Sequence, residues 1–175
     1  YRESYGMFAV SGILFNHESP LRGEDFVTRK ITLGLVKILK GELDCLELGN
    51  IYAKRDWGYA KEYVEAIWKM LQEKKPQDFV ISTGKTFSVK QFINETIKLL
   101  EIDAKWIGKG LKEKLINKKN GKIIIKINPK FFRPAEVDIL IGNSSKAKKI
   151  LKWKSKTKLK ELVKIMLESE LKHYT

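Results

Sequence analysis

Apolar and polar positions alternate along this chain in short blocks whose period switches between that of a covered strand and that of an amphipathic helix. Residues 8–15, Phe-Ala-Val-Ser-Gly-Ile-Leu-Phe, form a nearly continuous apolar run of the kind that a parallel sheet covers on both faces. Residues 25–40 then predict a helix with Val27, Ile31, Leu35, Ile38 and Leu39 on one side and Gly41 past its end. A second short strand is expected over residues 44–48. Asp56 can cap a following helix in which Ala60, Tyr63, Val64, Ile67, Trp68 and Leu71 recur at helical spacing and form its core face.

Residues 78–82 predict another strand. Ser88-Val-Lys-Gln91 is a capping-box signature that opens a helix through Phe92, Ile93, Ile97 and Leu100. The poorly patterned stretch from 105 to 120 is expected to be a loop, and residues 122–127 a strand. Asn143 and Ser144 can start a short helix carrying Ala147, Ile150 and Leu151, and Thr157 can cap a last helix with Leu159, Leu162, Val163, Met166 and Leu167 inward. Between them Trp153 is expected to anchor the join. Such alternation of strands and helices predicts an α/β protein.

The beginning reads differently. Tyr1-Arg-Glu-Ser-Tyr-Gly6 has the look of the last turns of a helix closed by glycine, with nothing ahead of it to start one and no initiator methionine. The expectation is a chain that begins within an element.

With 175 residues, 43% of them hydrophobic, the chain can bury a core and has room for one domain or a large part of one. A formal charge of +14 raises the prospect of a nucleic-acid-binding module, but the lysines are dispersed between apolar positions rather than clustered. A solvated basic face explains them. The lone cysteine, Cys45, can form no internal disulfide and reads as a small buried hydrophobe in a cytoplasmic protein. No metal-ligand spacing and no apolar stretch of about 18 residues is present.

Chemistry concentrates at arginine. Only five of the 35 basic residues are arginines, and Arg22, Arg55 and Arg133 fall in three polar, turn-rich segments: residues 16–23, 53–58 and 131–138. A planar guanidinium grips phosphate bidentately where a lysine ammonium cannot, so these three are candidate ligand contacts, with structural ion pairs as the alternative. A search for a Gly-x-Gly-x-x-Gly turn among the 12 glycines finds none, and none of the six tyrosines has a lysine four residues later. No catalytic residue is assigned within this chain.

Taken in order, Tyr1 to Val10, Gly12 to Pro20, Phe26 to Ile31, Leu48-Gly-Asn50, Ala53 to Trp57, Arg133 to Asp138 and Lys146 to Trp153 resemble the C-terminal half of the GDP-mannose 4,6-dehydratases. These are nucleotide-sugar enzymes of the extended short-chain dehydrogenase/reductase family. The resemblance implies the last elements of an NAD(P)-binding Rossmann fold, interleaved over residues 1–175 with a smaller nucleotide-sugar-binding domain. It implies NADP-dependent conversion of GDP-mannose to GDP-4-dehydro-6-deoxy-D-mannose by a homo-oligomer, a dimer or tetramer. The glycine-rich and catalytic region would lie upstream, leaving this chain inactive alone.

Residue by residue, the resemblance implies that His17 and Arg22 contact NADP, and that Asn16, Val27, Lys30, Arg55, Arg133 and Glu136 hold GDP-mannose. Glu136 offers only acceptors when ionised, which suits a guanine edge or a ribose hydroxyl; an ion pair with a lysine is its other reading. Val27, on the apolar side of its helix, is open to a packing role, and His17 to a bond with a loop carbonyl. Leu21-Arg22 departs from the two arginines usual in the family, and Ile51-Tyr52 from its usual Leu-Asp. A sibling nucleotide-sugar epimerase or reductase on the same scaffold is the competing enzyme class.

Overall fold

The computed structural model describes residues 1–132 and 137–173. In chain order these form α1 (Arg2–Tyr5), β1 (Gly12–Leu14), β2 (His17–Glu18), α2 (Val27–Lys40), β3 (Leu46–Leu48), β4 (Lys54–Arg55), β5 (Gly58–Tyr59), α3 (Ala60–Leu71), β6 (Phe79–Ile81), β7 (Phe87–Ser88), α4 (Val89–Leu99), β8 (Ala104–Ile107), β9 (Lys114–Asn117), β10 (Ile123–Ile127), β11 (Ile139–Leu140), α5 (Ser145–Ile150) and α6 (Leu159–His173). The chain divides into two compact units. One comprises Tyr1–Ser19, Arg55–Phe87 and Ile139–Leu162, the other Pro20–Lys54, Ser88–Asp138 and Val163–Thr175.

In the first unit β1 runs parallel to β6, pairing Gly12 with Phe79 and Leu14 with Ile81. Phe79, Ile81, Tyr63, Ala66, Met70, Ala147, Leu151 and Trp153 form its core, with Val10, Leu14 and Ile150 packed against them. The strand is shorter than its apolar run. Ile13 and Phe8 remain exposed, so the two-faced cover expected for residues 8–15 is only partial. Gly6 closes α1 in the left-handed conformation, φ 63°, as its sequence suggests.

Helix α3 turns a different face to the core than its apolar spacing predicts. Tyr63, Ala66 and Met70 are buried, whereas Val64, Ile67, Trp68 and Leu71 are exposed. Both sets satisfy helical periodicity, and only the position of the sheet decides between them. Nor does Asp56 cap this helix: its N-cap is Tyr59, with no side-chain bond.

Trp153 is anchored as expected, donating its indole N–H to the Glu62 carbonyl at 2.9 Å and meeting Tyr63 edge-on. Thr157 lies two residues ahead of α6, and its hydroxyl donates to the Glu62 carboxylate at 2.8 Å. The same carboxylate accepts from Ser155 Oγ and from the Lys156 and Thr157 backbone N–H groups.

The second unit holds a four-stranded sheet in the order β3-β10-β9-β8. β10 is parallel to β3 and antiparallel to β9, which is antiparallel to β8. The stretch expected to be a loop therefore contains two strands. Their signal is weak because lysines interrupt it, and Leu115 alone of β9 is buried.

Ile31, Leu35 and Val36 are the buried face of α2, while Leu39 lies outside it. The helix packs on β3 through Gly34, where a Cβ would stand 2.9 Å from a Leu46 methyl. Ser88 and Gln91 form the reciprocal capping box of α4, at 3.1 and 2.7 Å. Cys45 is half-buried rather than fully enclosed, and burial pushes its thiol pKa up.

Candidate functional site

The first unit brings together the segments carrying Asn16, His17 and Arg55. β2 pairs in parallel with β5, setting His17 opposite Gly58, and the Asn16 carbonyl accepts the Gly58 N–H at 2.9 Å. Residues 58–59 thus run beside residues 16–18. Arg55 is half-buried between the buried Ala53, Asp56 and Trp57.

His17 is fixed twice. Its ring stacks on Tyr63, centroids 5.2 Å apart, and Nδ1 lies 2.9 Å from the Phe15 carbonyl. A carbonyl can only accept, so Nδ1 carries the proton in the neutral ring and Nε2 is left as an acceptor. The loop-carbonyl bond and a ligand role are therefore compatible. Beneath His17, the buried Tyr63 hydroxyl has no hydrogen-bond partner among the described residues. Burial, then the charges of Asp56, Glu62 and Glu18, push its pKa far up.

Asp56 is the anchor that sequence reasoning missed. Fully buried, it accepts from the Thr83 N–H (2.8 Å) and hydroxyl (2.6 Å), the Gly84 N–H (2.9 Å) and the Gly142 N–H (3.3 Å). These bonds fix the residue adjoining Arg55. A buried carboxylate with this many donors is fully solvated by protein. No local pattern marks it, because the Thr83 and Gly84 amides that it accepts from lie 27 and 28 residues away.

In the second unit Arg22, Val27 and Lys30 cluster at the start of α2. The Arg22 guanidinium lies 3.6 Å above the Phe26 ring, and the Arg22 carbonyl is held by Arg29 Nη1 at 2.6 Å. Arg29 in turn pairs with the buried Glu170 at 3.0 Å, so it is structural, as is Arg2 in its ion pair with Asp78. Lys30 Nζ sits 4.2 Å above the Phe131 ring. Phe131 is fixed because its backbone crosses Gly49 so closely that a Cβ there would meet the Phe131 carbonyl at 2.3 Å. Val27 is half-buried, which leaves it able to present a methyl to a ligand. Arg133 and Glu136 lie outside the described residues.

Elsewhere in this unit Tyr52, a departure from the family pattern, donates its hydroxyl to the buried Glu113 at 2.6 Å. Lys90 reaches the same carboxylate at 2.6 Å, 4.8 Å above the Trp106 ring. The group is a closed ionic cluster.

The solved structure of RMD from Pseudomonas aeruginosa complexed with NADPH superimposes with a TM-score of 0.79 at 16% identity, over 98% of this chain and 51% of that one. A dTDP-glucose 4,6-dehydratase from Bacillus anthracis in complex with NAD gives 0.73 at 17% identity, over 98% and 47%. The fold is α/β, and these two solved chains share it over about half of their own length. The profile of GDP-mannose 4,6 dehydratase matches residues 1–166, and the chain belongs to that family. A GDP-mannose 4,6 dehydratase of Dictyostelium discoideum is 53% identical over 99% of this chain and 49% of its own length, and one of Homo sapiens 48% over 98% and 46%. The chain spans about half the length of these curated relatives. Among the described residues no helix is long and apolar enough to cross a membrane.

Proposed function

We propose that this chain is the part of an NADP-dependent GDP-mannose 4,6-dehydratase that supplies most of the nucleotide-sugar site, and that it is inactive without the remainder. The single observation supporting this reading is identity of about half over nearly the whole chain with relatives that bear that name. Asn16, Val27, Lys30, Arg55, Arg133 and Glu136 are assigned to GDP-mannose. Lys30, Arg55 and Arg133 supply cationic donors for a diphosphate, Asn16 a neutral amide, and Glu136 accepts from guanine or ribose.

His17 and Arg22 are assigned to NADP. The donor set fits it: Arg22 is a planar cation supported on Phe26, suited to a phosphate oxygen, and His17 presents an acceptor nitrogen suited to a hydroxyl. When bound, the nicotinamide supplies the means to take a hydride from the sugar and return it after water is lost. The residues of this chain bind and orient; proton transfer is assigned to groups outside it. We further infer a cytoplasmic homo-oligomer.

The test uses the full-length protein with GDP-mannose and NADP, followed by NMR. A 4-keto, 6-deoxy hexose product is expected. Turnover of a different nucleotide sugar without that product would assign the chain to a sibling epimerase or reductase instead. Charge-assisted hydrogen bonds contribute about 1.5–3 kcal/mol, so Arg55→Ala or Arg133→Ala should weaken GDP-mannose binding by roughly tenfold to a hundredfold.

A further inference from the structure

Helix α3 leaves an apolar flank exposed. Val64, Trp68 and Leu71 are 63, 60 and 53% exposed, and Ile67 is 39% exposed. At about 100° per residue the four side chains form one stripe along two turns, beside the core face of Tyr63, Ala66 and Met70. Glu62 stands on the other flank, where its carboxylate accepts from Ser155, Lys156 and Thr157 and its carbonyl from Trp153. That flank is taken. The stripe therefore points away from residues 153–157.

The sheet beneath is open on the same side. Met70 Cε lies 3.0 Å from where a Cβ on Gly12 would stand, so α3 covers β1, while α5 packs on β6. The Ser11 carbonyl accepts the Phe79 N–H and the Phe15 N–H donates to the Ile81 carbonyl, each at 2.9 Å. Alternate residues of a strand turn their backbone to opposite edges, so Gly12 and Leu14 direct N–H and C=O away from β6. Among the described residues no strand pairs with that edge. A two-stranded sheet with a bare edge is marginal, and a parallel one needs helices as cover.

We infer that a helix of the remaining polypeptide seats on Val64, Ile67, Trp68 and Leu71, joined to a strand that pairs in parallel with the outer edge of β1. This rests on the reading of the chain as part of a longer enzyme, and relatives 53 and 48% identical to it are about twice its length, so a segment of equal size is available. Handedness selects the position of the helix. The step from β1 through α3 to β6 crosses the sheet in one direction, with its helix on one face. A preceding strand that led to β1 in the same direction would need its helix on that same face to keep the right-handed crossover. The helix then lies beside α3, on the stripe. Its matching face is apolar at a spacing of three and four residues.

The test uses the full-length protein. Trp68 fluorescence, taken as the difference between the wild type and Trp68→Phe, is expected to be blue-shifted and shielded from acrylamide at every protein concentration. Trp68→Lys should lower the melting temperature of the full-length protein by several degrees, and by more than Trp68→Phe does. The fluorescence needs only the conservative variant, so it decides the matter even where Trp68→Lys does not fold. A Trp68 as open to acrylamide as free tryptophan overturns the inference. Shielding that is lost on dilution, together with dissociation of subunits, assigns the stripe to a second copy and equally overturns it. A protein that shields Trp68 at all concentrations yet turns over a different nucleotide sugar supports this packing and refutes the dehydratase reading alone.

Discussion

Asp56 Oδ1 accepts both the backbone N–H and the hydroxyl of Thr83, at 2.8 and 2.6 Å, across 27 residues of sequence. This relationship, rather than a helix cap, holds the Arg55 segment. The two roles make opposite predictions for asparagine. At an N-cap, asparagine is as good as aspartate and the substitution is nearly silent. At Asp56, an amide NH2 would face N–H donors in a buried site. Asp56→Asn should therefore lose about 2–4 kcal/mol in urea unfolding, nearly as much as Asp56→Ala. A loss below about 0.5 kcal/mol would return Asp56 to the helix.

The Glu113 carboxylate gives a pH dependence with a defined sign. Burial pushes its pKa up, but the hydrogen bonds from Lys90 and Tyr52 outweigh burial and hold it below the ordinary carboxylate range. A depressed folded pKa contributes stability that is present above the unfolded value, about 4.3, and lost as pH falls through the folded one. For Lys90 burial acts downward, and the bond to Glu113 with the neighbouring Tyr52 raises its pKa overall. Its contribution is complete below about 10.4 and lost only above. Glu113→Gln should thus lower stability at pH 7 and flatten the acid limb between about pH 5 and 2. An unchanged acid limb would show that the cluster is not linked to folding.

How much of this was legible depends on the reach of each interaction. Ser88 and Gln91 are three residues apart, so their capping box could be read directly, and Gly6 and Gly41 marked helix ends for the same local reason. Asp56 was misread because its donors are as far as 86 residues away. The strands around Leu115 were hidden by lysines that an exposed sheet face tolerates. As for the site, composition pointed to Arg22 and Arg55, but the assignments of Asn16, His17, Val27 and Lys30 came only from family resemblance. No local pattern distinguishes a ligand-facing lysine on α2 from a solvated one.

Tyr63 should be improved by losing its oxygen. Its buried hydroxyl has no hydrogen-bond partner among the described residues, so Tyr63→Phe removes an unsatisfied group and should stabilise the chain by about 1 kcal/mol. The raised pKa adds a signature. The unfolded chain ionises this phenol near pH 10 and the folded chain does not, so stability is retained below that pH and lost above it. Tyr63→Phe should reduce this alkaline loss, and absorbance at 295 nm should show one tyrosine ionising only on unfolding. Gly58→Ala should act the other way. A Cβ there would meet the Tyr63 ring at 2.3 Å, and such overpacking costs about 1–3 kcal/mol.

Which face of α3 meets the core can be decided by two substitutions two residues apart. Met70 is 2% exposed and packs with Phe79 and Ile81, whereas Trp68 is 60% exposed despite belonging to the longer apolar stripe. Met70→Ala should cost about 2–5 kcal/mol through lost burial and the cavity left behind. Trp68→Lys should change the stability of the 175-residue chain by less than about 0.5 kcal/mol. If the sizes are reversed in urea unfolding, the helix is rotated and the stripe of Val64, Ile67, Trp68 and Leu71 forms the core. The Tyr63 stack beneath His17 would then be lost with it, since Tyr63, Ala66 and Met70 share one face of α3.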